Sequence, residues 1–187
     1  MTKGFGVDAV AAAGAAGITS IGENYAQELI TKLDAARAAR LDVHFIGRLQ
    51  SNKVRQLAGA VAVWESIDRP ALVAELARRA PGAVVLIQVN PTGEPDKGGC
   101  APDEAAGVLA EARSAGLVVD GLMTVGPTAG GPEAARPGFR LVRQMVSELG
   151  LATCSMGMTD DLDIAVEEGT TRVRLGTALF GPRPRPG

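Results

Sequence analysis

The chain has 187 residues, of which 46% are hydrophobic and 21% charged, and its formal net charge is −2. This length and composition predict a globular protein with a full core, and the charge argues against an obligate nucleic-acid-binding protein. Neither a signal peptide nor an apolar run near the roughly 20 residues that cross a bilayer is found, so a cytoplasmic protein with reduced thiols is expected. One histidine, and two cysteines outside any metal-ligand spacing, predict no metal site.

Strand and helix patterns alternate along the chain. Short apolar runs predict strands, in chain order, at 18–21, 43–46, 61–64, 83–89, 117–123, 151–154 and 172–175. Helical spacing is predicted between them, over 7–16, 24–39, 52–60, 70–80, 102–115 and 133–149. In the second of these helices, Leu29, Leu33 and Ala36 share one face. A further helix is predicted to begin after the capping sequence Thr159-Asp160-Asp161.

Repeated strand–helix units predict a parallel sheet, and seven predicted strands favour a (β/α)8 barrel over an open sheet. An eighth strand is expected before residue 7, where the sequence offers only Met1-Thr2-Lys3. The prediction is therefore a (β/α)8 TIM barrel that lacks its N-terminal helix and most of its first strand. A single domain is expected over residues 1–181, followed over 182–187 by a disordered tail rich in proline and arginine.

Glycine and hydroxyl residues follow the last two predicted strands, in Ser155-Met156-Gly157-Met158 and Gly176-Thr177-Ala178. Barrels of this kind often bind phosphate at these two loops, because backbone N–H groups beside a glycine can approach an anion closely. The pattern predicts a phosphate site, although the glycines could serve only to turn the chain. Arg174 points to the same side as Gly176, so it either faces the barrel interior, paired with a ligand, or lies on the surface.

Lys3 would end the first strand of the barrel. An amine at that place can form a Schiff base with a carbonyl cofactor if it is kept partly neutral. A lysine so close to the terminus can equally be a solvated charge. Composition and spacing do not distinguish these two interpretations.

Five sequence blocks carry a resemblance to a known family. In chain order they are Ile21-Gly22-Glu23-Asn24-Tyr25-Ala26-Gln27-Glu28, His44-Phe45-Ile46-Gly47-Arg48-Leu49-Gln50-Ser51-Asn52-Lys53, Gly121-Leu122-Met123-Thr124, Ser155-Met156-Gly157-Met158-Thr159-Asp160-Asp161-Leu162 and Val173-Arg174-Leu175-Gly176-Thr177-Ala178. With these blocks the chain resembles the pyridoxal 5′-phosphate homeostasis proteins, which are themselves similar to the N-terminal barrel of bacterial alanine racemases. The resemblance extends over nearly the whole chain.

The resemblance implies pyridoxal 5′-phosphate as the cofactor. The family's Schiff-base lysine lies 19 positions before the glycine of the first block, which places it at Lys3 relative to Gly22. Arg174 would face the pyridine nitrogen and, being permanently charged, would keep it unprotonated and limit carbanion chemistry. The resemblance assigns the other contacts to Ser155, Gly176 and Thr177 at the phosphate and to Asn24 and His44 along the pocket.

The function expected from the resemblance is that of a regulatory protein in vitamin B6 balance, which holds the cofactor without robust catalysis. It would be monomeric and could hand the cofactor to apo-enzymes that need it. The alternative is an amino-acid racemase, but alanine racemases take a catalytic tyrosine from a second domain, and the one tyrosine here is Tyr25. A third interpretation, a Schiff-base aldolase, would not need the phosphate and arginine arrangement.

Overall fold

The computed structural model describes residues 1–182, so the predicted tail lies, beyond Pro182, outside the described residues. Six parallel strands form one sheet in the order of the chain. They are β1 Ser20–Glu23, β2 Asp42–Phe45, β3 Val63–Ile67, β4 Val84–Gln88, β5 Val118–Met123 and β6 Thr153–Ser155. The helices are α1 Val7–Ala15, α2 Ala26–Ala38, α3 Ser51–Leu57, α4 Pro70–Arg79, α5 Ala105–Ser114, α6 Arg136–Glu148, α7 Leu162–Glu167 and α8 Thr177–Phe180, with a short 3-10 helix at Pro132–Ala135.

The two edges of the curled sheet are joined through the first residues of the chain. The backbone N–H of Thr2 donates to the carbonyl of Gly22 in β1 at 3.1 Å, and the terminal ammonium of Met1 donates to the carbonyl of Leu175. Residues 1–2 thus occupy the place of a strand between β1 and the last segment of the barrel. This arrangement confirms the predicted barrel, in which a short N-terminal piece stands for the first strand.

The last predicted strand, 172–175, forms only an isolated bridge between Arg172 and Ser155. Beyond that bridge the backbone N–H of Arg174 donates to the carbonyl of Gly157. Gly157 has a φ of 93°, a conformation that glycine adopts readily and that breaks the regular ladder. The strand prediction was therefore wrong in extent, because the turn at Gly157 interrupts its pairing with β6.

The main core lies between the outer face of the sheet and the helices. Trp64 of β3 is fully buried there, with its ring centroid 6.0 Å from that of Phe45. In β4, Val85 and Ile87 belong to the same core, while the intervening Leu86 is equally buried on the opposite, inner face. The continuously apolar sequence of this strand is explained by its burial on both faces.

Lys32 holds the N-terminal segment against α2. Its side chain is only 2% exposed, and its Nζ donates to the backbone carbonyl of Thr2 and to Oε1 of Glu23, both at 2.7 Å. The hydroxyl of Thr2 donates to the same Glu23 oxygen at 2.5 Å. The buried face of α2 therefore comprises Leu29, Lys32 and Ala36, and the predicted Leu33 is only partly buried.

Both cysteines, Cys100 and Cys154, are buried and free. Burial raises the pKa of each thiol to about 11, so neither has the thiolate character of a reactive cysteine. Within residues 1–182, the longest helices have 13 residues, and none is long and apolar enough to cross a membrane. The same residues contain no cluster of histidine, cysteine and carboxylate side chains that could hold a metal ion.

Candidate functional site

A cavity of about 360 Å³ opens at the carboxyl ends of the strands. Its volume lies in the range of small-molecule sites, about 300–1,000 Å³. Most of the predicted site residues line it together, namely Lys3, Asn24, Arg174, Gly176 and Thr177. The two others, His44 and Ser155, lie outside this lining.

Lys3 lies at the rim of the cavity. It follows Thr2, which is 1% exposed and fixed by the hydrogen bonds to Lys32 and Glu23. The Nζ of Lys3 lies over the ring of Tyr25, 5.7 Å from the centroid, a favourable cation–π arrangement. The lysine is therefore held at the cavity by a buried neighbour and by an aromatic ring.

Arg174 lies at the base of the cavity and is 6% exposed. Its Nη1 donates to the hydroxyl of Ser155 at 2.9 Å, and its Nη2 donates to the carbonyl of Thr124 at 2.7 Å. Burial lowers the pKa of the guanidinium, and the nearby charge of Glu65 opposes this shift. The sequence left open whether Arg174 faces the barrel interior or the surface, and in the structure it faces the interior. Because a guanidinium carries five N–H donors, further donors can serve an acceptor in the cavity.

Gly176 and Thr177 lie where the chain enters α8, and both line the cavity. The N–H of Ala178 donates to Thr159 and that of Leu179 donates to the carbonyl of Gly176, so among residues 1–182 the N–H groups of Gly176 and Thr177 are the ones available to an anion. A Cβ added to Gly176 would lie 3.3 Å from the Cβ of Met1, so a side chain at this position would crowd the first residue of the chain.

Thr159 is a lining residue that sequence reasoning placed elsewhere. The sequence assigned Thr159-Asp160-Asp161 to the cap of α7. In the structure Asp161 is the N-cap residue, but its Oδ1 accepts from the N–H of Met158 at 2.6 Å and does not cap the helix. The hydroxyl of Thr159 instead accepts a long hydrogen bond, 3.4 Å, from the N–H of Ala178. Thr159 therefore joins the two glycine-containing loops.

Ser155 and His44 meet at a buried carboxylate, that of Glu65 inside the barrel. Oε1 of Glu65 lies 2.6 Å from Nδ1 of His44, and Oε2 accepts from the hydroxyl of Ser155 at 2.7 Å. Arg172 approaches the same carboxylate at 3.6 Å. Burial by itself raises the pKa of Glu65, but the hydrogen bonds from His44 and Ser155 outweigh it and hold the pKa below its usual value.

Ser155 therefore contacts Arg174 and Glu65 rather than the cavity. It accepts from the guanidinium and donates to the carboxylate, so its hydroxyl links the two charges. The sequence offered a signal for this network, because a glutamate directly follows the predicted strand 61–64. The strand continues to Ile67, which turns Glu65 into the barrel instead of leaving it in a loop.

The loop 91–100 is bonded to a neighbouring loop. Nζ of Lys97 donates to Oε1 of Glu94 at 3.0 Å and to the carbonyl of Gly126. Oε2 of Glu94 accepts from the hydroxyl of Thr128 at 2.6 Å. Lys97 is outside the cavity lining and acts as a tether between two loops.

Gly47 fixes the backbone beside Asn24, and we expect Gly47→Ala to disturb the site. An added Cβ would lie 1.9 Å from the carbonyl oxygen of Asn24, so the backbone must shift, at a cost of about 1–3 kcal/mol for such overpacking. Urea unfolding measures this loss. Gly59→Ala is the matched control, since its added Cβ meets nothing within 4 Å. Equal stability of the two variants would contradict the proposed contact.

The matching family profile bears the description "Alanine racemase, N-terminal domain" and covers residues 1–184. The alanine racemase of Clostridium difficile superposes with a TM-score of 0.79 at 13% identity, over 98% of this chain and 52% of that one, a likeness of fold alone. The fold and the cavity thus define a barrel of the alanine racemase N-terminal class.

Closer relatives identify the family within that class. A pyridoxal phosphate homeostasis protein of Aquifex aeolicus is 43% identical over 89% of this chain and 78% of its own length. One from Pseudomonas aeruginosa is 41% identical over 94% of this chain and 79% of its own. PipY of Synechococcus elongatus, solved with pyridoxal phosphate (PLP) bound, has a TM-score of 0.86 at 30% identity, over 96% of this chain and 90% of its own. The chain belongs to the pyridoxal phosphate homeostasis protein family.

Proposed function

We propose that the cavity at the carboxyl ends of the strands binds PLP. The observation that carries the proposal is the joint placement of Lys3 at the rim and Arg174 at the base of one cavity. The amine can bond the aldehyde of this cofactor, and the buried cation can donate to its ring nitrogen. The PLP-bound structure of the relative PipY supports the same assignment.

The residues present fit the cofactor. Besides the two cations, the lining offers Gly176 and Thr177 at a helix start for the phosphate. Asn24 contributes a buried Oδ1 that has no hydrogen-bond partner within residues 1–182. A buried acceptor without a partner is costly, so Asn24 marks a place at the edge of this cavity for an N–H or O–H donor.

Each side chain has a distinct task in this proposal. Lys3 is the residue that would bind the aldehyde covalently, and Gly176, Thr177 and Thr159 surround the phosphate. Arg174 donates to the pyridine nitrogen and keeps it free of a proton, because a guanidinium does not give up its own. Bound PLP supplies an electron sink, which this contact weakens. Ser155 acts as a positioning residue, since it fixes Arg174 from below.

The biological role we propose is to hold PLP and release it to recipients, in keeping with the names of the relatives. We further propose that the protein acts in the cytoplasm as a monomer and that PLP-dependent apo-enzymes are among its recipients.

A titration of the purified protein with PLP tests the proposal. We expect one cofactor per chain, a visible absorbance band from the lysine-bound form, and competition by inorganic phosphate at the phosphate end. Mixing the loaded protein with an apo-enzyme should restore the activity of that enzyme. Absence of the visible band would refute the bond to Lys3, absence of bound PLP in equilibrium dialysis would refute the binding proposal, and sustained racemisation of alanine would replace the carrier role with an enzymatic one.

A further inference from the structure

A second cavity, of about 510 Å³, lies beside the first. It is formed by the segment around the start of α2 and by the connection from β2 to α3, and its lining consists of Asn24, Tyr25, Ala26, Gln27, Phe45, Gly47, Arg48, Gln50 and Lys53. Asn24 lines both cavities. The ammonium of Lys3 lies over the ring of Tyr25, 5.7 Å from the ring centroid. The border between the two cavities is therefore the place where Lys3 lies.

The second cavity is positively charged. Arg48 and Lys53 are its two ionic side chains, and the described lining contains no carboxylate. Within residues 1–182, neither cation forms a salt bridge, although most other cations near α2 and α4 are paired. Two cations within one concave surface attract an anion more strongly than isolated surface charges do. An arginine fork in addition matches the two oxygens of a carboxylate.

The uncharged part of the lining points to an organic acid rather than to an inorganic ion. The side-chain amides of Gln27 and Gln50 can both donate and accept hydrogen bonds, whereas Phe45 and Ala26 present apolar surface. The volume is also larger than a single inorganic anion needs. This combination suits a small molecule with a carboxylate, a short carbon chain and a second polar group.

We propose that this second cavity binds a small amino acid, with its carboxylate between Arg48 and Lys53 and its amine directed to the border at Asn24. The unpartnered Oδ1 of Asn24 can accept an N–H of that amine. The carboxylate site is argued from the lining of the second cavity alone. The role given to the amine rests on the proposed function, because it assumes that Lys3 binds PLP. An amine at the border lies beside the lysine that would bind the cofactor, so the protein would sense amino acids where it holds PLP.

Binding of L-alanine and of L-alaninamide to the cofactor-free protein, measured by calorimetry, tests the proposal. The two probes differ in the carboxylate, so the wild type should prefer L-alanine by about tenfold or more, as expected for a charge-assisted pair. The double variant Arg48→Gln/Lys53→Gln should lose this preference. Arg55→Gln/Arg113→Gln removes the same charge from exposed helix positions outside the cavity and should keep it.

Equal affinity for the two probes would overturn the proposal, as would a preference that survives Arg48→Gln/Lys53→Gln. Binding of inorganic phosphate with the affinity of L-alanine that is lost in Arg48→Gln/Lys53→Gln would show a general anion site in this cavity and would also overturn it. A parallel titration of the double variant with PLP separates the two proposals. The visible band should persist in that variant, and failure of the wild type to retain PLP in equilibrium dialysis would refute PLP binding without touching the carboxylate measurement.

Discussion

Replacing Lys3 with alanine is expected to abolish the visible absorbance of the PLP-loaded protein. Within residues 1–182, Lys3 is the one lysine that lines the cofactor cavity, and the other amine of the lining, the terminal amine of Met1, is engaged by the carbonyl of Leu175. The contacts to the phosphate and the ring nitrogen remain, and the variant should still bind PLP, more weakly by about tenfold or more. Absorbance spectroscopy follows the covalent bond, and equilibrium dialysis follows the remaining affinity.

Lys97→Ala provides the matched control for this experiment. Lys97 is also a lysine near the mouth of the barrel, but its ammonium is engaged by Glu94 and the carbonyl of Gly126. Its removal should leave the visible band unchanged. A band that persists in Lys3→Ala and disappears in Lys97→Ala would move the covalent attachment to the loop 91–100.

The second large effect is expected in stability, from Glu65→Gln. The carboxylate lies between Arg172 and Arg174 and accepts from His44 and Ser155. Its neutral isostere removes the ion pair with Arg172 and the nearby negative charge that offsets the burial of Arg174, to which Glu65 is linked through the hydroxyl of Ser155. Breaking a buried ion pair in this way costs about 3–5 kcal/mol. Urea unfolding at neutral pH measures the difference. The half-buried Glu75→Gln, which affects only the partners Arg78 and Arg79 on the same helix, should change stability less.

The pH dependence of the same pair of proteins gives an independent check. Because the pKa of Glu65 is lowered in the folded state from its ordinary value of 4.5, its contribution is fully present above that value and is lost as the pH falls through the folded pKa. The unfolding free energies of the wild type and Glu65→Gln should therefore converge in acid. A difference that stays constant from neutral pH to below the folded pKa would show that the charge of Glu65 is not responsible.

The sequence predicted the barrel and much of the cavity because both depend on local patterns. Apolar runs alternating with helical spacing place β4 and α4 well, and polar residues after strands mark the open end of a parallel barrel. Arg174 and Gly176 were predicted to face the same side for the same reason, since residues two apart in an extended chain share a face.

What the sequence missed are polar groups whose partners lie far away in the chain. From the sequence, Ser155 has the features of a phosphate ligand. In the structure its hydroxyl donates to Glu65, which is 90 positions away. The sequence around Lys32 is typical of a surface lysine. Its burial is stabilised by hydrogen bonds to Thr2 and Glu23. Local periodicity contains no information on such contacts, so their discovery required the folded arrangement.

The contact between Lys32 and Thr2 has a consequence for the proposed binding of PLP, because residues 1–2 can be docked or undocked. Lys3 can retain an aldehyde only while its neighbour Thr2 is docked on α2 and β1. By linkage, a ligand that binds only the docked form must stabilise that form in return, by about 2.7 kcal/mol at a hundred times its dissociation constant. On the proposed function, undocking of residues 1–2 would be a release route for PLP, and a bound cofactor would in turn stabilise their contacts with α2 and β1.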